Sequence, residues 1–180
     1  MQENRAVFLD RDGTINVDKG YLYKPEDIKY LPGVLDALKF LQDMGYLLIV
    51  VTNQSGIARG YYTEEQYLEL QDWINSDLRS KGIFLTKTYY CPHLEGAKIC
   101  KYDIKCDCRK PKTGLYWKAV TEFNISLKDS FVIGDKERDL SLVEDSDVKG
   151  ILLGSAKSDK YKSCNNWQEV INYIRDSKNE

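Results

Sequence analysis

The chain has 180 residues, of which 42% are hydrophobic, and its formal net charge is −2 with an isoelectric point near 5.6. This size and composition suit one globular domain over residues 1–180, and the charge disfavours a nucleic-acid-binding protein, which typically has a basic excess. A run of 18 apolar residues is absent, as is the basic start and apolar stretch of a signal peptide, which argues against a membrane or exported protein. Five cysteines without an export signal favour a reducing compartment. We therefore expect a cytoplasmic monomer that binds neither a membrane nor nucleic acid.

Short apolar runs alternate with helical patterns along the chain. Strands are predicted at 6–10, 46–53, 130–135 and 148–154. Helices are predicted from residue 34 to Gly45, from the capping box "TEEQ" (63–66) to Leu78, from Thr113 to Phe123, over 137–145, and around 167–174. Apolar strands separated by amphipathic helices predict an α/β fold with a parallel sheet covered by helices on both faces. Residues 89–112 follow neither period, and we interpret them as a long ordered loop.

Acidic residues follow two of the predicted strands. Asp10 and Asp12 in "VFLDRDGTIN" follow the first strand, and Asp135 in "VIGDKERD" follows the third. Aspartates in such places are often solvated turn residues or helix caps, and the pair taken by itself leaves that interpretation open. In a parallel sheet, however, the carboxyl ends of neighbouring strands meet at one edge, where ligands bind. Three carboxylates there repel one another unless a cation lies between them, so the pattern predicts a Mg²⁺ site.

Further polar groups are placed to surround an anion. Thr52 and Asn53 in "VVTNQSG" follow the second strand, and Arg109, Lys110 and Lys112 lie in "RKPK". The alternatives are an ordinary strand-to-loop turn for the first pair and a solvated basic face for the second. Together with the acids, these groups make up the set that phosphoryl transfer needs, namely a metal site with fixed donors and cations around the phosphate oxygens.

The segment 89–112 contains two closely spaced pairs of candidate metal ligands. Cys91, His93, Cys106 and Cys108 follow the pattern C-x-H-x12-C-x-C, and His93 is the single histidine of the chain. Buried free cysteines are common, but four ligands at this spacing suit a tetrahedral Zn²⁺ ion. Because protein side chains would fill all four positions, we expect a structural ion that orders the polar loop. Two cysteines are left over: Cys100, which lies inside the segment and is an alternative ligand that could compete for the metal, and Cys164.

These motifs stand in the same order as those of a known superfamily. "DRDGT", the threonine after the second strand, the lysine in a later loop and "GDKxxD" resemble the four motifs of the haloacid dehalogenase (HAD) superfamily of phosphohydrolases. The resemblance implies a Rossmann-like fold without a large cap domain. It also implies that Asp10 is the nucleophile that becomes an aspartyl-phosphate, and that Asp12 protonates the leaving oxygen and then activates water. The other implied roles are phosphoryl binding by Thr52 and Lys110, and Mg²⁺ binding by Asp10, the backbone carbonyl of Asp12 and Asp135.

One physical expectation accompanies these roles. Asp12 must carry a proton when the leaving oxygen departs, and burial beside another acid raises the proton affinity of a carboxylate. We therefore predict a raised pKa for Asp12.

Within this superfamily, the cysteine loop resembles that of phosphatases acting on heptose bisphosphate and of the related histidinol-phosphatases. The stretches "FLDRDGTINVDKGY", "VVTNQSGIARG", "YYCPH" and "CDCRKP" are similar to the heptose group. The resemblance implies Mg²⁺-dependent hydrolysis of one phosphate of D-glycero-D-manno-heptose 1,7-bisphosphate, the one on C7, which leaves heptose 1-phosphate. The residues it implies as contacts of this sugar phosphate are Asp18, Lys19, Gly20, Tyr21, Thr52, Asn53, Gln54, Ser55, Arg109, Lys110 and Lys136.

Three other functions stay open at this point. A histidinol-phosphate phosphatase or a broader sugar-phosphate phosphatase would use the same motifs, and Lys19 and Lys112 depart from the residues usual in the heptose group. A receiver-type signalling domain also places acids, a threonine and a lysine at strand ends, but the "DxDGT" spacing disfavours it. A zinc-dependent nucleic-acid module is disfavoured by the net charge.

Overall fold

The computed structural model of the protein describes residues 3–177, and its centre is a single six-stranded sheet. The strands are β1 (Arg5–Leu9), β2 (Tyr46–Asn53), β3 (Lys87–Cys91), β4 (Phe131–Gly134), β5 (Lys149–Leu153) and β6 (Lys162–Cys164). They lie in the order β3-β2-β1-β4-β5-β6, and every neighbouring pair is parallel. The predicted α/β class and parallel sheet are therefore confirmed.

Helices connect the strands and cover both faces of the sheet. The α-helices are α1 (Val34–Asp43), α2 (Ser55–Arg59), α3 (Glu64–Ser80), α4 (Gly114–Phe123) and α5 (Trp167–Asp176). Short 3₁₀ helices span Pro25–Asp27, Cys100–Tyr102, Leu127–Asp129 and Glu137–Glu144. In the described part of the chain, no helix has both the length and the apolar character that crossing a bilayer requires.

The alternation of side chains along β1 explains why both faces need a cover. Val7 and Leu9 point to one face, where they pack with α1, α3 and α5, whereas Ala6 and Phe8 point to the other and pack with α4. All four residues are buried. A strand buried on both faces has to be apolar throughout, which is why its sequence shows no alternation of polar and apolar residues.

The predicted start of α3 and the predicted end of α1 are confirmed by the local geometry, whereas α3 extends two residues beyond the predicted Leu78, to Ser80. The hydroxyl of Thr63 accepts a hydrogen bond of 3.2 Å from the backbone N–H of Gln66, whose side chain accepts one of 2.8 Å from the N–H of Thr63. Gly45 has a φ of 83°, in the left-handed region that follows many helix ends.

The segment predicted as a helix over 137–145 is helical but is a 3₁₀ helix over Glu137–Glu144. Four consecutive residues of this segment are buried, namely Asp139, Leu140, Ser141 and Leu142. An α-helix with one apolar stripe cannot bury four consecutive side chains on one side. The sequence pattern therefore predicted a helix here but not that it is a 3₁₀ helix.

Two strands, one α-helix and three of the 3₁₀ helices were not predicted. β3 begins before residue 89 and extends to Cys91, so the interpretation of 89–112 as loop throughout is wrong for its first three residues. β3 and β6 are the two edges of the sheet, and each carries lysine or other polar residues in place of a continuous apolar run. α2 has only five residues, which is too short for a periodic pattern to appear.

Candidate active site and metal centre

The carboxyl ends of the central strands meet at a cavity of about 330 Å³. Every predicted catalytic and substrate-contacting residue lines it except Lys19, which is exposed outside the lining. The lining also includes residues that were not predicted: Gly56, Arg59, Tyr62, Arg138 and Asp139. The arrangement follows from the topology, because parallel neighbours place the residues after β1, β2 and β4 at the same edge.

Lys110 is the counter-ion of two carboxylates at the bottom of this cavity. Its Nζ lies 2.7 Å from Asp10 Oδ1 and 2.8 Å from Asp139 Oδ1, and it donates a third hydrogen bond of 2.7 Å to the carbonyl of Val51. Lys110 is only 3% exposed. Although burial alone would lower its pKa, the Asp10 and Asp139 carboxylates raise that pKa above its ordinary value, so the side chain is a fixed cation.

Asp10 keeps an unusually high affinity for protons. Burial raises the pKa of its carboxyl to about 7, because the cost of desolvating the charged form exceeds the attraction of Lys110. The nearby charge of Asp139 adds to the increase. A divalent cation at this place would favour the ionised, nucleophilic form of Asp10.

Asp135 completes a group of acids suited to a cation. One carboxylate oxygen each from Asp10, Asp135 and Asp139 lie within 4.8 Å of one another. Asp135 Oδ1 is buried and has no hydrogen-bond partner among residues 3–177, and burial raises the pKa of this carboxyl. Gly13, with a φ of 90°, leaves room for it, since a Cβ there would come within 2.4 Å of Asp135 Oδ2. A buried oxygen without a donor, among crowded carboxylates, fits Mg²⁺ ligation.

The carboxylate of Asp12 points to a different set of partners. Arg11 donates to both of its oxygens, at 3.2 Å from Nε and 2.9 Å from an Nη, and further donors are Asn16 at 3.0 Å and Gln54 at 3.0 Å. Burial alone would raise the pKa of Asp12, but the Arg11 guanidinium and these hydrogen bonds hold it below its usual value. The prediction of a raised pKa for Asp12 is therefore wrong, because four donors stabilise the charged form.

Residues at the end of β2 position the lysine and the threonine. The Asn53 amide accepts a 3.0 Å hydrogen bond from the N–H of Lys110 and donates one of 3.1 Å to its carbonyl. This pair of contacts fixes the loop that carries Lys110. Thr52 is 1% exposed, and its Oγ1 accepts a 2.9 Å hydrogen bond from Gln54 Nε2.

The rim of the cavity is more open and carries exposed charges. Lys136 Nζ lies 3.5 Å from Asp18 and 3.8 Å from Asp135. Arg109 contacts the carbonyl of His93 at 3.4 Å. The N–H of Gly20 donates a hydrogen bond of 2.9 Å to Asp18 Oδ1, and this contact shapes the turn before Tyr21. Gln54 and Ser55, which follow β2 at the start of α2, also line the cavity.

The four ligands predicted from the cysteine loop come together in one cluster. Cys91 ends β3, and its Sγ lies 3.6 Å from Cys106 Sγ and 3.0 Å from Cys108 Sγ. His93 Nδ1 lies 3.2 Å from Cys108 Sγ. One ligand atom from each of the four residues lies within 4.8 Å of the others, so the cluster could hold a metal ion. Burial raises the pKa of the Cys91 and Cys108 thiols, and for Cys108 the thiols of Cys91 and Cys106 add to the increase. Although burial alone would raise the pKa of Cys106, hydrogen bonds with Cys108 and His93 lower it to about 7. A bound cation would favour the thiolate form of all three.

The other two cysteines lie outside this cluster. Cys100 is exposed at the start of a 3₁₀ helix, and Cys164 is 1% exposed at the end of β6. Neither belongs to the group of metal-binding candidates among the described residues.

Comparison with known sequences decides the family. The sequence model of the polynucleotide kinase 3 phosphatase family matches residues 6–160. A D-glycero-beta-D-manno-heptose-1,7-bisphosphate 7-phosphatase from Haemophilus ducreyi is 50% identical over 150 residues, which cover 83% of this chain and 82% of that protein. The chain belongs to the heptose-bisphosphate phosphatase family. A D-glycero-alpha-D-manno-heptose-1,7-bisphosphate 7-phosphatase from Campylobacter jejuni is 37% identical over 177 residues, which cover 97% of this phosphatase and 98% of that one.

Solved structures place this phosphatase in the HAD superfamily. A protein from Mesorhizobium loti that is named a HAD-like phosphatase superposes with a TM-score of 0.86 at 30% identity. The match covers 96% of this chain and 85% of that protein. The D,D-heptose 1,7-bisphosphate phosphatase from B. bronchiseptica, complexed with magnesium and phosphate, superposes with a TM-score of 0.81 at 25% identity. The match covers 96% of this chain and 99% of that protein. The predicted superfamily and enzyme class, a phosphoric-monoester hydrolase, are confirmed.

Among the residues of this phosphatase's site that were missed in the sequence, three make contacts that matter for the charged groups. Asp139 belongs to the "GDKxxD" motif, so a signal for it existed, although its contact with Lys110 could not be read there. Arg11 stands between Asp10 and Asp12. An arginine in such a place is usually interpreted as a solvated residue, yet Arg11 is only 1% exposed. Tyr62 had no signal, since its role depends on a contact with Gln54 that the fold creates.

Proposed function

We propose that this chain removes the C7 phosphate of D-glycero-D-manno-heptose 1,7-bisphosphate and leaves heptose 1-phosphate. The observation that carries the proposal is the buried Asp10–Lys110 pair beside Asp135, at the bottom of a cavity, in a chain that is 50% identical to an enzyme of that name. Relatives named for the beta and the alpha anomer both match, so both anomers belong in the test.

In the first step, a carboxylate oxygen of Asp10 attacks phosphorus, and the bond between phosphorus and the C7 oxygen breaks. The leaving oxygen takes its proton from Asp12, and the phosphoryl group stays on Asp10 as an aspartyl-phosphate. Lys110 and the Thr52 hydroxyl face the equatorial oxygens, where charge is concentrated in the transition state. The cationic state of Lys110 makes it suited to this role.

In the second step, water attacks the aspartyl-phosphate and gives its proton to Asp12, which releases inorganic phosphate and regenerates Asp10. The donors around Asp12 stabilise its carboxylate form, which is the form that accepts this proton. For the first step, the negative charge of the bound phosphate ester raises the proton affinity of the neighbouring carboxyl. The net reaction converts ester and water into alcohol and phosphate.

Mg²⁺ is the proposed catalytic cofactor, held by Asp10, Asp135 and the backbone carbonyl of Asp12. When bound, it screens the carboxylates and lets an anionic phosphate approach the nucleophile. The buried, unpartnered Oδ1 of Asp135 supports this assignment.

Zn²⁺ is the proposed ion of the cysteine cluster. With zinc–sulfur bonds of about 2.3 Å, tetrahedral geometry puts two sulfurs about 3.8 Å apart. The distance between the Cys91 and Cys106 sulfurs, 3.6 Å, is near this spacing, whereas the Cys91 and Cys108 sulfurs, at 3.0 Å, are closer together. Since Cys108 precedes Arg109 and Lys110 directly, the ion would hold the loop that delivers both cations to the cavity.

Rim residues are the proposed contacts of the rest of the substrate. Arg109 and Lys136 are cations that suit the second phosphate, and the guanidinium can bind it through two hydrogen bonds. The turn of residues 18–21 and the start of α2 would contact the sugar, with Lys19 contributing only if that turn moves towards the ligand. We also propose that residues 1–180 act as one domain with its zinc loop at about 89–112, as a cytoplasmic monomer.

A phosphate-release assay with Mg²⁺ tests the proposal. Purified protein is given, at equal concentration, each anomer of heptose 1,7-bisphosphate, heptose 7-phosphate and histidinol phosphate. We expect kcat/KM to be highest for one bisphosphate anomer, with a single phosphate released per substrate molecule. A higher value for histidinol phosphate would replace this substrate with the alternative, and one phosphorylation event without multiple turnover would favour a signalling domain.

A further inference from the structure

Gln54 is buried within the protein although it lines the catalytic cavity. It is 2% exposed, and its Nε2 donates to Asp12 Oδ2 at 3.0 Å and to Thr52 Oγ1 at 2.9 Å. Its Oε1 accepts from Tyr62 at 2.7 Å and from Arg11 at 3.4 Å. An amide has two donor hydrogens and one acceptor oxygen, so protein partners use all of its capacity.

The hydroxyl of Tyr62 anchors the oxygen of this amide. If the amide were flipped, its oxygen would point at the carboxylate of Asp12, and its NH₂ group would point at the guanidinium of Arg11. Because the Asp12 carboxylate only accepts and the Arg11 guanidinium only donates, the flipped orientation is excluded. The 2.7 Å hydrogen bond from Tyr62, the shortest contact that Oε1 makes, holds the amide in place. The approach of Tyr62 depends on Gly56, because a Cβ there would lie 2.3 Å from the tyrosine ring.

The orientation of the amide has a consequence for Thr52. Because Gln54 Nε2 donates to Thr52 Oγ1, one lone pair of the hydroxyl is occupied and its hydrogen stays free to donate. A phosphoryl oxygen in the cavity is an acceptor for that hydrogen. The same amide fixes one oxygen of Asp12, so a single side chain orients both groups.

We propose that Gln54 and Tyr62 are positioning residues that orient Asp12 and Thr52, and that Gln54 acts through these residues and not through contact with the sugar. This inference rests on the roles that the proposed function gives to Asp12 and Thr52. It assigns a function to Tyr62, which lies eight residues beyond Gln54 and carries no motif of its own.

Two tyrosine variants provide a matched pair for the test. Tyr62→Phe removes the hydrogen bond to Gln54 and keeps the ring. Tyr67→Phe removes a buried hydroxyl that has no hydrogen-bond partner within residues 3–177, from a ring that also lies beside Arg11. A third variant, Gln54→Met, keeps the length of the side chain and removes every hydrogen bond of the amide.

The measurements are kcat, the inhibition constant of the sugar-phosphate product, and the thermal unfolding midpoint, Tm. One lost hydrogen bond corresponds to a decrease in kcat of about fivefold for Tyr62→Phe, and the loss of all of them to more than about thirtyfold for Gln54→Met. Tyr67→Phe should change kcat by less than about twofold. Because no substrate contact is removed, the inhibition constant of the product should stay within about twofold in all three variants.

Two results would overturn the inference. One is a kcat of Tyr62→Phe that equals that of Tyr67→Phe, and the other is an inhibition constant that rises in Gln54→Met while kcat is kept. The comparison of kcat values is repeated with p-nitrophenyl phosphate as the substrate, so it does not depend on the identity of the sugar. A wild-type protein that hydrolyses p-nitrophenyl phosphate and not the heptose bisphosphate contradicts the proposed substrate and leaves this test intact.

Discussion

Removing one ligand of the cysteine cluster should weaken both the fold and catalysis. The substitution is Cys108→Ser, which takes away a sulfur that lies 3.0 Å from Cys91 Sγ and two residues before Lys110. Cys100→Ser is the matched control, because Cys100 is exposed and lies outside the cluster. Both variants replace one sulfur by oxygen within the same loop.

The size of the effect follows from the loop that the proposed zinc ion would close. Cys91 and Cys106 are 15 residues apart, and releasing a constraint across a loop of this length costs about 3 kcal/mol of unfolding free energy. For a chain of this size, that loss lowers the Tm by about 6–12 °C. Since Lys110 must keep its 2.7 Å contact with Asp10, a displacement of about 1 Å in this loop would reduce kcat about a hundredfold.

Differential scanning calorimetry, elemental analysis and phosphate release give the three readouts. The wild type and Cys100→Ser should each contain one zinc per chain and unfold at the same temperature. Cys108→Ser should lose its zinc, and its Tm and kcat should both decrease. The reasoning fails if Cys108→Ser keeps its zinc and its Tm, or if Cys100→Ser shows the same losses.

Three further substitutions test other parts of the molecule. Asp10→Asn should lower turnover more than about a thousandfold because the covalent step is lost, while circular dichroism shows an unchanged fold; activity within about tenfold of wild type would point to another nucleophile. Gly56→Ala should cost about 1–3 kcal/mol, since its Cβ would lie 2.3 Å from Tyr62; a Tm equal to that of the wild type would show that the ring can move aside. Asn166→Ala removes the cap that accepts a 3.0 Å hydrogen bond from Glu169 at the start of α5, and should cost about 1 kcal/mol without changing kcat; a decrease in kcat at saturating substrate would contradict this separation of stability from catalysis.

The elements that were predicted are those in which burial leaves either a continuous apolar run or a helical apolar stripe in the sequence. β1 and β2 are buried on both faces and therefore read as continuous apolar runs, and α5 buries one stripe that begins with Trp167. The edge strand β3 is half-buried over Lys87 and Thr88, so its residues carry no such pattern. Burial at the sheet edge is decided by neighbours that are distant in sequence.

The same distinction applies to the site. Asp10, Asp135 and the four cluster ligands were identified in the sequence because each stands at a strand end or at a metal-ligand spacing. The pKa of Asp12 was predicted in the wrong direction, because burial was considered without the partners that the fold provides. Arg11 is its neighbour in sequence, but nothing in the sequence shows that this guanidinium turns inwards.

The order of residues along the chain determined the sheet, the covering helices, the acids at the strand ends and the ligands of the cysteine loop, because hydrophobic period and local spacing are properties of the chain itself. The tertiary structure decided the charge states and the orientation of the groups. Lys110 meets Asp10 across 100 residues, and Gln54 reaches Asp12 across 42. The energy of a buried charge depends on the atoms within a few ångströms of it, and folding brings those atoms together from distant parts of the chain.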